Sequence, residues 1–291
     1  MPYDRNVQTR NQRFVKWCKK HYPLHTYKNL DTIMVTLRMI KSEIEINLIR
    51  KAYDITEKGL RTLLPLIRPG MMEYELEAIL SKAFIQEGAT GFAYSPVIAS
   101  GPRSCILHYI ANNHPCKDHE LILLDVGALY ANYHADVTRV VPANGHFTPR
   151  QKKVYNATLS ILEQAKKLLV PGSTFALYNK QVGQLMEKAL IDLGLISLQE
   201  VKTQSQQQPV YKKYFMHNIS HHLGLNTHDI CNPHTPFSPG MVLTVEPGIY
   251  IPEEGFGIRL ENAVVIGEKE VTCLNETLPL SPETIEALMK S

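Results

Sequence analysis

The spacing of apolar positions changes several times along the chain, and each change predicts an element. Over 41–70 (KSEIEINLIRKAYDITEKGLRTLLPLIRPG) apolar residues fall at Ile44, Ile46, Leu48, Ile49, Ala52, Ile55, Leu60, Leu63 and Leu64, mostly at helical spacing. Ser42 with Glu45 three residues on predicts a capping box at the start, and Pro69-Gly70 ends the run. A second helix is predicted over 73–87, closed by Gly88. The texture then shifts to short apolar runs broken by Gly, Asn and Pro. FAYSPVIASG, SCILHYI, LILLDVGALY and DVTRVVPA predict strands. Thr148-Pro149-Arg150-Gln151 predicts a helix start, with Thr at N-cap, Pro at N1 and Gln at N3, running to about Leu169. Another helix is predicted from Ser173 to Gly194, followed by a polar surface loop over 199–209 (QEVKTQSQQQP). YFMHN, MVLTVEPGIY, GIRLENAVVIG and VTCLN read as strands, and Ser281-Pro282 opens a last short helix. Helices and strands mixed without regular β-α-β alternation predict an α+β fold.

Residues 1–40 are weakly patterned, with the single tryptophan Trp17 and a strand-like TIMVTLRMI at 32–40. Too short for a core of its own, this stretch is expected to be an arm or the remnant of a preceding domain, with 41–291 as the main domain. Of the 291 residues, 44% are apolar and 20% charged, which suits a sizeable core. The net charge of +3 gives no case for nucleic acid. The first 60 residues hold 12 of the 31 Lys/Arg and 6 of the 28 Asp/Glu, which predicts a solvated basic arm. Five cysteines without a C-x-x-C pair predict free thiols in a reducing compartment, neither a disulfide scaffold nor a zinc ribbon. The polar start MPYDRNVQTR predicts no secretory signal, and no apolar run approaches the roughly 20 residues of a membrane span. A cytoplasmic protein that contacts no membrane is therefore expected.

The chemistry lies in carboxylates and histidines set in apolar, strand-like surroundings. Asp125 sits in LILLDVGALY, Asp136 in YHADVTRVV, Glu246 in MVLTVEPGIY and Glu261 in FGIRLENAVVI. Between the pairs, YFMHNISHHLGLNTHD carries His217, His221, His222 and His228. An unpaired buried carboxylate is costly and tends to take a proton, so four of them call for cations. Arg139 near Asp136 and Arg259 near Glu261 could supply separate ion pairs. Two divalent metal ions explain more, because four carboxylates and one imidazole balance their charge. Oxygen-rich ligation without cysteine points to Mn²⁺, with Co²⁺ or Zn²⁺ as substitutes. Such a pair can supply a hydroxide at neutral pH and polarise a carbonyl, with nearby histidines moving protons or donating to an oxyanion.

In order, DVGA, ADVTR, MHNISHHLGLNTHD, TVEPGIY and GIRLEN resemble the pita-bread metallopeptidases, and most closely their Xaa-Pro aminopeptidase (aminopeptidase P) branch. The resemblance runs from about residue 35 to the end, and five ordered motifs make it specific. It implies a curved antiparallel sheet covered by helices, and a dinuclear aminopeptidase that releases the residue ahead of a proline from peptide substrates. It implies that Asp125 chelates one metal, that Asp136 and Glu261 bridge both, and that His221 and Glu246 complete the other. Glu246 would also be the general base. His108 in CILHY would stabilise the tetrahedral intermediate, His217 and His228 would line the proline pocket, and Tyr250 and Arg259 would lie beside the metals on the substrate side. Tyr94 in GFAYSP falls where the family's cleft begins, with packing an equal alternative.

The chain departs from the family pattern at three places. Asn218 replaces the glycine after the first histidine, Asn226 replaces an aspartate ahead of the last, and His222 replaces an aromatic and reads as a pocket-wall residue. The first two put fine specificity in doubt and leave all five ligands intact. The usual full N-terminal domain is represented only by residues 1–40, which leaves room for a homodimer in place of the usual assembly. A prolidase-type dipeptidase on the same scaffold and a catalytically weak peptide- or partner-binding module are the competing readings. The SHHLGLNTHD wording argues against a methionine aminopeptidase.

Overall fold

The computed structural model describes residues 8–205 and 207–290. The leading MPYDRNV, part of the polar start, lies outside them. The structure divides into one unit that ends at Met34 and a larger one that begins at Val35. In the first, α1 (Arg10–His21) opens with a capping box between Thr9 and Gln12, and no residue of it is buried. Its apolar side chains cluster among themselves, Trp17 stacking on Phe14 and His21.

Residues 32–40 are not a strand. They form α2 (Asp31–Met39), started by the Asn29 side chain, which accepts from the Asp31 amide at 2.9 Å. The β-branched residues suggested a strand, but a strand needs a ladder, and among the described residues this stretch makes a single bridge, just beyond α2, between Ile40 and Met241. Met39 is buried in the core of the larger unit.

In the larger unit, α3 (Glu43–Leu63) carries the expected Ser42–Glu45 capping box and buries Ile46, Ile49, Tyr53, Leu60 and Leu63 along one stripe. It packs on α4 (Glu73–Gln86). Then come β1 (Gly91–Phe92), β2 (Val97–Ser100), β3 (Leu121–Val126), β4 (Ala128–Tyr130), β5 (Tyr133–His134) and β6 (Val137–Pro142). Helices α5 (Pro149–Leu168), α6 (Phe175–Asp192) and α7 (Leu198–Thr203) follow, with Thr148 and Gln151 forming the capping box read from sequence. The chain closes with β7 (Val242–Val245), β8 (Gly248–Ile251), β9 (Phe256–Arg259), β10 (Asn262–Ile266), β11 (Val271–Cys273) and α8 (Pro282–Met289).

Every pairing is antiparallel: β2-β3-β6, β11-β10-β7, β1-β4-β5 and the β8-β9 hairpin. With β9 lying against β3 and β6, and helices packed outside, the fold is the α+β arrangement expected. Three further segments differ from the sequence reading. SCILHYI is a 3-10 turn (Gly101–Cys105) and a loop, because Gly101 takes a φ of 54° and Pro102 follows it. YFMHN makes no ladder, since the amides of Tyr214 and Phe215 turn back onto the Tyr211 carbonyl. Half of the polar 199–209 loop is α7, nucleated by a Ser197–Glu200 capping box.

The glycine of DVGA has a steric cause. A Cβ on Gly127 would lie 1.8 Å from the Ala135 carbonyl oxygen, where the chain passes between β3 and β4. Gly127→Ala must push apart the two aspartate-bearing segments, at a cost of about 1–3 kcal/mol. Denaturant unfolding of the metal-free variant measures this, and an unchanged midpoint would contradict it.

Candidate metal centre

The strand ends of the larger unit converge on a cavity of about 600 Å³. Asp125, Asp136, His108, His217, His221, His228, Glu246, Arg259 and Glu261 all line it, together with Tyr94. Tyr250, the remaining residue singled out from sequence, is buried behind it. β3–β6 register puts Asp125 opposite Thr138, and Asp136 enters one residue before β6. The Asp136 carbonyl accepts from the buried Tyr53 hydroxyl at 2.9 Å. Glu246 leaves the end of β7, and its amide donates to the Ile219 carbonyl at 2.9 Å. Glu261 leaves the end of β9, and its amide donates to the Thr138 carbonyl at 3.1 Å. His221 is tied to β7 through its amide, which donates to Thr244 Oγ1 at 3.1 Å.

Asp136, His221 and Glu261 each present one ligand atom, and the three lie within 4.8 Å of one another. His221 Nε2 is 3.3 Å from Asp136 Oδ2 and 3.6 Å from Glu246 Oε1. Its Nδ1 sits 3.0 Å from the His222 carbonyl, which leaves Nε2 as the site-facing nitrogen. Asp125 is held off this trio by other partners. Arg259 Nη2 donates to its Oδ2 at 2.5 Å, and the Tyr94 hydroxyl lies 2.7 Å from Oδ1 of both Asp125 and Asp136. Tyr94 is thus a site residue that sequence left undecided. No local pattern marks it, because its partners lie 31 and 42 positions away.

Arg259 also donates Nη1 to the Tyr250 hydroxyl (2.8 Å) and Nε to Thr138 Oγ1 (3.1 Å). Thr138 in turn donates to Glu261 Oε2 at 2.8 Å. The other oxygen, Glu261 Oε1, is buried with no protein partner. Neither of the two ion pairs considered from sequence forms: Arg259 pairs with Asp125 in place of Glu261. Among the described residues Arg139 pairs with no carboxylate. It donates to the carbonyls of Pro279, Thr138 and Glu261 and to Asn262 Oδ1.

Too little positive charge faces Asp125, Glu246 and Glu261, and burial raises their proton affinities. Burial raises Asp125, against Arg259 and with help from Asp136. Burial pushes Glu246 up to about 7, opposed by His221 and Arg259, and holds Glu261 well above the ordinary range. His221 moves the other way from most buried histidines. Burial lowers it, but Asp136 and Glu246 outweigh burial and hold it at about 9. An orphaned buried oxygen, crowded carboxylates and an imidazole aimed at them fit hard divalent cations.

The other histidines differ. His217 Nε2 lies 2.8 Å from the Tyr250 hydroxyl and Nδ1 2.8 Å from the Asn218 carbonyl, so both nitrogens are committed. Burial and Arg259 lower it to about 3. The His228 ring lies against His221, tilted by 57° with ring centres 4.2 Å apart, and burial and His221 depress it. His108 stands exposed on the loop after the 3-10 turn, at the cavity wall. His222 is not a pocket wall. It is buried behind His221, edge-on to Phe175, because the alternating backbone that turns His221 inward turns it toward the core. Asn218 lines the cavity with an ordinary negative φ, so the glycine it replaces is not required by the backbone here.

The metal-free protein should lose stability as pH rises above about 6.5. Glu246 and Glu261 bind protons more tightly folded than unfolded, so their favourable contribution fades above the unfolded value of 4.5, for Glu246 up to about 7. His221 adds a loss between 6.5 and about 9. Below pH 6.5 the depressed His217, His222 and His228 pull the other way, so thermal melts of chelated protein should fall across pH 6.5–9, by about 2–4 °C per kcal/mol, and the gain on adding Mn²⁺ should grow over the same range. A metal effect that does not change with pH would count against this centre.

Residues 47–268 match the profile of Metallopeptidase family M24. The Xaa-Pro aminopeptidase of Escherichia coli (strain K12) is 38% identical over 267 residues, covering 87% of this chain and 60% of the relative. The Xaa-Pro dipeptidase of Pyrococcus horikoshii is 31% identical, over 89% of this chain and 70% of the relative. The structure of aminopeptidase P from E. coli with the inhibitor Pro-Leu matches with a TM-score of 0.88 at 32% identity, over 98% of this chain and 69% of that one. The chain thus spans about 60% of the length of the E. coli Xaa-Pro aminopeptidase. The structural likeness identifies the curved α+β architecture as the pita-bread fold. With its profile matched across both halves of the carboxylate set, the chain belongs to metallopeptidase family M24.

Proposed function

We propose that this chain is a metalloaminopeptidase that hydrolyses the Xaa-Pro bond, releasing the N-terminal residue from peptides with proline second. The observation that carries this is the convergence of Asp125, Asp136, His221, Glu246 and Glu261 on one histidine-walled cavity of about 600 Å³, a size suited to a short peptide. Two divalent ions suit the donor set, Mn²⁺ first and Co²⁺ or Zn²⁺ as substitutes. Asp125 would hold one, His221 and Glu246 the other, and Asp136 and Glu261 both. Bound there, they supply an activated water and polarise the scissile carbonyl. Glu246 accepts the proton of the attacking water and passes it to the leaving proline nitrogen. His108 is placed to donate to the developing oxyanion. His217, its nitrogens committed to Tyr250 and Asn218, offers a ring wall for proline, and His228 offers another. Arg259 opposes the upward push of burial on Asp125 and orients Tyr250. The five unpaired cysteines support a reducing, cytoplasmic setting.

The relative named Xaa-Pro dipeptidase favours a second reading, a prolidase. Hydrolysis of a Xaa-Pro-Yaa tripeptide, a Xaa-Pro dipeptide and a Met-Ala peptide by Mn²⁺-loaded protein separates them. The tripeptide should be cleaved at least tenfold faster. Preference for the dipeptide would establish the prolidase. Bound metal without turnover of any substrate would instead leave a binding module.

A further inference from the structure

Asp229 directly follows His228 and is buried away from the cavity. Two cations from the segment leading into α3 take its oxygens. Arg38 Nη2 pairs with Oδ1, and Lys41 Nζ lies 3.2 Å from Oδ2. The side chains of Lys41 and Asp229 are only 2% and 1% exposed. The Ile230 amide also donates to Asp229 Oδ1 at 3.0 Å, and the Asp229 amide donates to the His222 carbonyl at 2.9 Å. With the Asn226 amide turned so that its nitrogen donates to the Leu225 carbonyl (3.1 Å), its oxygen accepts from the same Arg38 Nη2 at 2.8 Å. One guanidinium therefore grips the residues on both sides of Thr227-His228. Gly224 lies flat on the pair, since a Cβ there would sit 2.4 Å from Asp229 Oδ2 and 2.9 Å from Lys41 Cε.

A buried ion cluster is a poor source of stability compared with apolar packing, but it allows one register. Here that register leaves the His228 ring 4.2 Å from the His221 ring, inside the cavity. We infer that Arg38, Lys41 and Asp229 are positioning residues that clamp the 224–229 loop and so hold His228 in place for the peptide. The inference rests on the proposed peptidase reading. It also explains why Asn226 lies off the cavity lining: its side chain serves the clamp.

The test is a double-mutant cycle in the full chain loaded with Mn²⁺, on a Xaa-Pro-Yaa peptide. Asp229→Asn should lower kcat about tenfold with metal content unchanged, and His228→Ala about 10²-fold. The double variant should match His228→Ala within about twofold, because the clamp acts only through that ring. Lys41→Met, which keeps Asp229 paired with Arg38, is the milder variant if Asp229→Asn folds poorly. It should lower kcat about threefold, again only when His228 is present. The ¹⁵N ring signals of His228 in the metal-free protein give a readout independent of turnover, and should shift or broaden in both clamp variants. Effects that multiply, or His228 signals unchanged in both clamp variants, would overturn the inference while leaving the peptidase reading intact. Failure of the parent protein to cleave the peptide would reject that reading itself.

Discussion

Glu246→Gln should lower kcat of the Mn²⁺-loaded protein by about 10³-fold or more, combining loss of a general base with loss of an anionic ligand. The substitution is isosteric, and it removes a carboxylate that burial already pushes up to about 7. The metal-free variant should therefore be no less stable than its parent, and more stable at pH 8, where the parent must ionise a buried acid. Single-turnover hydrolysis with a parallel thermal melt measures both. Activity within tenfold of the parent would remove Glu246 from the chemistry. Activity loss with a collapsed melt would make its role structural.

Arg259→Met should destabilise the metal-free protein by about 3–5 kcal/mol, since it strands a buried partner. Three groups depend on that guanidinium: Asp125, Tyr250 and Thr138. With it gone, only the Tyr94 hydroxyl is left to oppose burial and Asp136 at Asp125, and the Tyr250 hydroxyl loses the donor that aims it at His217. Added Mn²⁺ should restore more stability to the variant than to the parent, because a divalent charge replaces the missing cation. Arg259→Lys should fall between, keeping the charge without the three-way geometry. Melts with and without Mn²⁺ decide it. An equal metal response in parent and variant would show that Asp125 and Arg259 belong to a structural pair separate from the cation site.

Much of the fold was legible locally. The capping boxes at Ser42 and Thr148 and the apolar stripe of α3 are short-range signals, and each element formed where it was read. The three misread strands share one cause. TIMVTLRMI, SCILHYI and YFMHN have strand composition, yet strand formation depends on a neighbour that only the folded chain supplies. The first caps onto Asn29, the second breaks at Gly101-Pro102, and the third folds back on Tyr211.

The residue types of the site and their order were determined by the sequence alone: four carboxylates and a histidine run in apolar surroundings cannot remain uncompensated, and their motifs name the family. Tertiary structure alone decided which groups meet. It set Tyr94 across Asp125 and Asp136, committed both nitrogens of His217, turned His222 into the core and gave Asp229 to Arg38 and Lys41. The physical reason is that burial and hydrogen bonding act through space. A side chain's protonation and direction are set by neighbours tens to hundreds of residues away, which no local pattern records.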